Sequence, residues 1–148
     1  MPLDLLFRIL STSLAPMILI SGVGLLLLSM TNRFGRVIDR ARHIAHEIEQ
    51  GAEGSRHDML HQQLEVLYQR GRIMRGSILF TSAAVLCVSI GVLSVFGAQL
   101  AGAEADYISP LFFALALIAV VPGVSLFIHD IFVSLRALEL EIGPARKR

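Results

Sequence analysis

Four histidines and one glutamate lie close enough in sequence to raise the question of a metal ion. His43 and His46 are three residues apart, and His57 and His61 are four apart. On a helix either spacing puts two imidazoles on one face. A divalent ion held by His46, Glu47, His57 and His61 is therefore one reading, and a solvated helix surface able to respond to pH is the other. A second kind of chemistry lies in the arginines. Eight fall between Arg33 and Arg75, and Arg33, Arg36, Arg40, Arg72 and Arg75 bracket that stretch. Guanidinium groups bind phosphate bidentately, so these five are candidates for anionic lipid headgroups or another anionic ligand. The third candidate is Asp130, an ionisable group at the end of a long apolar run. Such a group finds a buried charge partner, and Arg33 or Arg75 is the expected one.

Catalytic signatures are missing. The chain has no nucleophile elbow, phosphate loop, paired intramembrane carboxylates or helical His-Glu zinc motif, so no enzyme and no cofactor are expected. Cys87 stands alone within an apolar run and reads as a small hydrophobe. A net charge of +1 gives no global field for nucleic acid, and none is expected as a partner.

The elements that must position these groups are legible from where charge is absent. No Asp, Glu, Lys or Arg occurs across 24 residues from Ile9 to Asn32, 28 from Gly76 to Ala103, or 23 from Tyr107 to His129. A helix crossing the hydrocarbon core needs about 20 apolar residues, and each run provides them. This excludes a soluble domain, a disulfide-stapled secreted domain and a disordered tail. The first run is not a signal peptide, because it has no basic leader and is too long. The fold expected is an all-α membrane protein with transmembrane segments at 9–32, 76–100 and 108–129. Basic loops stay in the cytoplasm. The eight arginines of 33–75 and Arg136, Arg146, Lys147 and Arg148 therefore belong inside, with residues 1–8 and the acidic link 101–107 outside. The remainder, 130–148, forms a cytoplasmic helix end and basic tail.

The segment 33–75 is too regular for a loop. Phe34, Val37, Ala41, Ile44 and Ile48 make one heptad seam, and Leu60, Leu64, Leu67, Gly71 and Met74 make its mirror. Folding the chain at Gly54 pairs them, Ile48 with Leu60 through to Phe34 with Met74. Helices 1 and 2 are thus expected to extend into a cytoplasmic antiparallel hairpin with its turn at about 51–55. Gly51 would end one arm, and Ser55 with Asp58 would cap the other. The same register sets His61 opposite Glu47, Arg36 opposite Arg72 and Arg33 opposite Arg75.

Within the membrane, Pro16 and Pro122-Gly123 predict kinks. Ala83, Cys87 and Gly91, followed by Ser94 and Gly97, read as a close-packing ridge. Ser13, Ser21, Gly24 and Asn32 fall on roughly one face of the first helix, as a pore lining or as a helix contact. Three short spans enclose little, so a homo-oligomer is expected, with a channel-like path along the first helices and an arginine ring at its inner end. The alternative is a non-conducting scaffold whose hairpin binds a cytoplasmic protein or anionic lipid.

Ala15-Pro16, Ser21-Gly22-Val23-Gly24, Thr31-Asn32-Arg33 and Arg36-Val37-Ile38-Asp39-Arg40-Ala41-Arg42 resemble a family of small bacterial three-helix membrane proteins of unknown function. The resemblance runs from about Leu5 to Leu140. It implies a bacterial inner-membrane location and three spans, and no activity.

Overall fold

A computed structural model describes residues 3–51, 54–101 and 108–142, with side chains placed for these except 3–13, 15, 96, 99–101, 109 and 136–142. The described chain is all helix: α1 (Leu3–Glu49), α2 (Ser55–Ala101) and α3 (Ile108–Ile142). Each helix contains a stretch long and apolar enough to cross a membrane, within Pro16–Glu49, Ser55–Val95 and Pro110–Leu135. The expected outer segment 1–8, Ser13, the link 101–107 with Glu104 and Asp106, and the basic end with Arg136, Arg146, Lys147 and Arg148 lie outside the described side chains.

The helices bury the wrong residues for a water-soluble protein. Only 11–22% of the apolar stretches is buried, whereas Leu25, Leu93, Ile118 and Val121 are each at least 65% exposed. The fully covered residues include Ala116, Ser77 and Thr81. Val23, Met30 and Val88 are covered as well, so what marks the apolar stretches is the large aliphatic surface left outside, which hydrocarbon permits because lipid tails solvate leucine as well as a core does.

Glycine sets the turn between α1 and α2. The N–H of Gln50 donates to the carbonyl of His46 (3.1 Å) and that of Gly51 to Ile48 (3.2 Å), closing the last turn of α1. Gly51 then takes φ 95° and Gly54 φ 65°, left-handed values that side-chain-bearing residues avoid. The start of α2 departs from the expected cap. The Gly54 carbonyl accepts from His57 N–H (3.0 Å) and Asp58 N–H (3.5 Å), and Ser55 is already the first helical residue. Gly54 therefore occupies the position assigned to Ser55, since only glycine reaches φ 65° without strain.

The chain divides into two compact units, one made of 1–28 and 79–122 and the other of 29–78 and 123–148. In the first, Ala84, Val88 and Ala116 form a buried cluster packed by Leu19, Ile20, Cys87, Val92, Ala119 and Val120. The expected ridge is rotated here. Ala83 is exposed and Cys87 half-buried, while Ala84, Val88 and Gly91 point inward. The inward face continues from Thr81 through Ala84 and Val88 at steps of three and four and joins the expected ridge at Gly91.

In the second unit, Met30, Val37, Ile44, Leu60 and Met74 are buried. Phe34, Ala41, Ile48, Leu64, Leu67 and Gly71 are half-buried, so every seam position is at least partly covered. One pairing differs from the fold-back register. Glu47 meets Arg56 (3.6 Å) and His43 (3.2 Å) rather than His61. The Phe34 ring lies 3.9 Å from where a β-carbon at Gly71 would stand, which brings α1 and α2 together at this end of the seam.

Candidate functional site

The second unit holds a fully buried carboxylate. Asp130 has no exposed surface and takes one contact from each of two other helices. Arg33 Nη2 of α1 lies 3.3 Å from Oδ2, and Arg70 Nε of α2 lies 3.3 Å from Oδ1. One turn further along α3, the Ser134 hydroxyl accepts from Arg33 Nη2 (3.2 Å) and Arg70 Nη2 (2.5 Å) and donates to the Asp130 carbonyl (2.9 Å). The Arg33 guanidinium also stands 5.7 Å from the centre of the Phe127 ring, within range of a cation–π contact.

Each member arrives by helical spacing. On α2, Leu67, Arg70, Met74, Ser77, Thr81, Ala84, Val88 and Gly91 advance by alternating threes and fours, so Arg70 occupies an inward position. On α1, Arg33 lies three residues after buried Met30 and four before buried Val37. On α3, Gly123, Phe127, Asp130 and Ser134 repeat the period. Three charged residues thus stand where a soluble bundle would carry leucine. The cost of burying them falls only if they are paired and hydrogen-bonded, and no buried polar side-chain atom among the described residues lacks a partner.

A second polar contact lies in the same unit. Buried Ser77 donates to the Gly123 carbonyl (2.6 Å), and its oxygen is 3.4 Å from Met30 Sδ. The acceptor directly follows Pro122, whose ring removes one N–H from the α3 ladder.

The sequence-derived residues scatter around this centre. Asp130 is paired with Arg33 as expected, but its other partner is Arg70, and Arg75 is exposed. Arg36, Arg40 and Arg72 are exposed too and make no ion pair among the described residues. Of the polar α1 face, Ser21 and Asn32 are exposed and Gly24 is half-buried. The histidines keep to local company. His43 faces Glu47 (3.2 Å), His46 lies near Glu49 (3.8 Å) and Gln50 (3.0 Å), and the His57 and His61 rings are 4.5 Å apart. No three of His, Cys, Asp or Glu converge on a metal position among the described residues. His46, Glu47, His57 and His61 are thus not brought together among the described residues, and Glu47 pairs with Arg56 and His43.

Arg70 and Ser134 are what reasoning from the chain missed. The hairpin seam was drawn through Gly71, the apolar neighbour of Arg70. Running the period backward from the membrane residues Ala84, Thr81 and Ser77 would have reached Arg70 instead.

Three apolar helices joined by a buried ionic contact define a polytopic helical membrane protein. By sequence the chain belongs to the family described as "Protein of unknown function (DUF2721)", which matches residues 13–140. No curated protein and no solved structure matches the chain.

Proposed function

We propose that the protein is a bacterial inner-membrane homo-oligomer whose α1 helices surround an ion path. The observation carrying this reading is that Ser21 and Asn32 are exposed on α1 while the described core of the unit 1–28 and 79–122 is dry. The space among Leu19, Val23, Ala84, Val88, Ala116 and Val120 leaves no room for a water molecule. Polar side chains facing hydrocarbon are unfavourable, and neighbouring copies that turn Ser21, Gly24 and Asn32 toward an axis remove that cost. In this arrangement the N-terminus is outside, 33–75 forms a cytoplasmic antiparallel hairpin, and the tail is cytoplasmic. No catalysis or cofactor is assigned. Flux from liposomes holding the purified protein tests the reading. Current that falls in Asn32→Leu supports it; no current at any potential, pH or divalent concentration overturns it.

A second reading has its own support. Arg36, Arg40, Arg72 and Arg75 are exposed and lack ion pairs among the described residues. That suits a non-conducting scaffold whose hairpin sits on anionic headgroups, leaving the rest to recruit a cytoplasmic protein. Sedimentation with phosphatidylglycerol and phosphatidylcholine vesicles, together with pull-down of a stoichiometric protein partner, separates it from the first.

A further inference from the structure

The ionic contact at Asp130 is unbalanced. Two guanidiniums share one carboxylate, so the group carries a net positive charge, and no second acid reaches Arg33 or Arg70 among the described residues. Each arginine has five N–H donors in a planar fork. Among the described residues, Arg33 commits only Nη2, to Asp130 and Ser134, and Arg70 commits Nε and Nη2. Both contacts to Asp130 are single and at 3.3 Å, not the paired fork-to-carboxylate geometry. Among the described residues, most of each fork is uncommitted. The arginine side chains keep 28% and 18% of their surface exposed, while Asp130 has none. Part of each arginine side chain is thus open to a ligand, whereas the carboxylate that would repel an anion is fully covered.

Placement narrows the ligand. Arg33 ends the first charge-free run and Asp130 ends the third, and the two are in contact. For a chain spanning the bilayer, that contact marks where hydrocarbon gives way to headgroups. The planar guanidinium fork matches two oxygens on one centre, so two arginines brought together by one carboxylate suit a ligand with several oxygens, as a phosphate has. We propose that Arg33 and Arg70, held together by Asp130 and Ser134, form a receptor for one phosphate group, supplied by an anionic lipid headgroup. This deepens the lipid-binding reading and rests on it for the position of the arginines at the headgroups. It differs in requiring a single buried-edge site rather than a diffuse basic surface.

The test uses the full chain in detergent, with lipid adducts counted by native mass spectrometry during titration. The probes are short-chain phosphatidic acid, short-chain phosphatidylcholine and inorganic phosphate. One phosphatidic acid per chain is expected to bind in preference to phosphatidylcholine. Arg70→Gln should weaken it by about ten- to a hundredfold, as loss of a charge-assisted hydrogen-bond pair does. Arg42→Gln, exposed on another face of α1, should change it less than about twofold. Should Arg70→Gln not fold, Arg70→Lys keeps the charge beside Asp130 but loses the fork, and a drop of several-fold is expected. Competition by inorganic phosphate identifies a site that takes phosphate from any source; its absence with phosphatidic acid still bound identifies a lipid source. Equal losses in the Arg70 and Arg42 variants, or no preference over phosphatidylcholine, overturn the proposal. Vesicle sedimentation reads the diffuse surface separately, so loss of anionic-vesicle preference with the single adduct retained overturns the broader reading alone.

Discussion

The two compact units of this chain hold their helices together by opposite means. In the unit made of 1–28 and 79–122, Ala84, Val88 and Ala116 let the backbones approach, and cohesion comes from close packing. In the unit made of 29–78 and 123–148, one carboxylate gathers guanidiniums from two other helices, and Ser77 reaches a backbone carbonyl. Dispersion among small residues is weak per contact but tolerant of sliding and rotation. A buried ion pair has no alternative geometry, because any slip leaves a charge uncompensated. The small-residue unit therefore supplies proximity and the ionic unit supplies register. Arg33, Arg70 and Asp130 specify which faces of α1, α2 and α3 meet.

That contrast can be broken most directly at Asp130. Asp130→Ala strands two arginines and should lower stability by about 3–5 kcal/mol, read as a large drop in thermal midpoint in detergent. A shift as small as that of an exposed arginine would show that the ionic contact holds nothing. The sharper companion replaces all three charges, Arg33→Met, Arg70→Met and Asp130→Leu together. It should recover most of the lost stability, since a whole buried charge group often exchanges for apolar side chains at little cost. Next in size, Ala116→Leu overfills the dry cluster and should cost about 1–3 kcal/mol; a stabilised protein would mean the small-residue face is loosely packed. Ser77→Ala removes the bond to Gly123 and should cost about 0.6–1.7 kcal/mol, the range for polar contacts between membrane helices. Gly51→Ala, forced toward φ 95°, should cost about 1 kcal/mol or slightly more, detected as earlier local exchange of the turn amides. Smallest of all, Arg36→Gln should move the midpoint by no more than about 0.5 kcal/mol.

Much of this architecture could be read from residue order. Three charge-free runs appear as apolar stretches of three helices, and Gly51 ends α1 as the turn chemistry requires. The seam residues Val37, Ile44, Leu60 and Met74 are buried. The ionic centre was half legible. Asp130 announced itself by standing at the end of an apolar run, and Arg33 by standing at the end of another. Arg70 did not, because it is one of eight arginines in a stretch where positive charge has an ordinary explanation. Ser134 carries no signal, since a serine on a helix is as often exposed as bonded. The histidines show a related limit: spacing can place two imidazoles on one face, but among the described residues no three of His, Cys, Asp or Glu converge, because helical spacing does not fix how side chains of α1 and α2 meet.

Residue order settled what depends on composition along one dimension, namely helix type, length and the apolar character of each stretch. Those follow from local periodicity and transfer free energy, which a linear chain already contains. Which arginine meets Asp130, and whether Ala83 or Ala84 points inward, was settled only by packing. A rotation of α2 by a single residue, about 100°, exchanges one face for another while leaving composition untouched. Choosing among those rotations takes contacts from three helices at once. Here the choice is made by one carboxylate that must not be left alone.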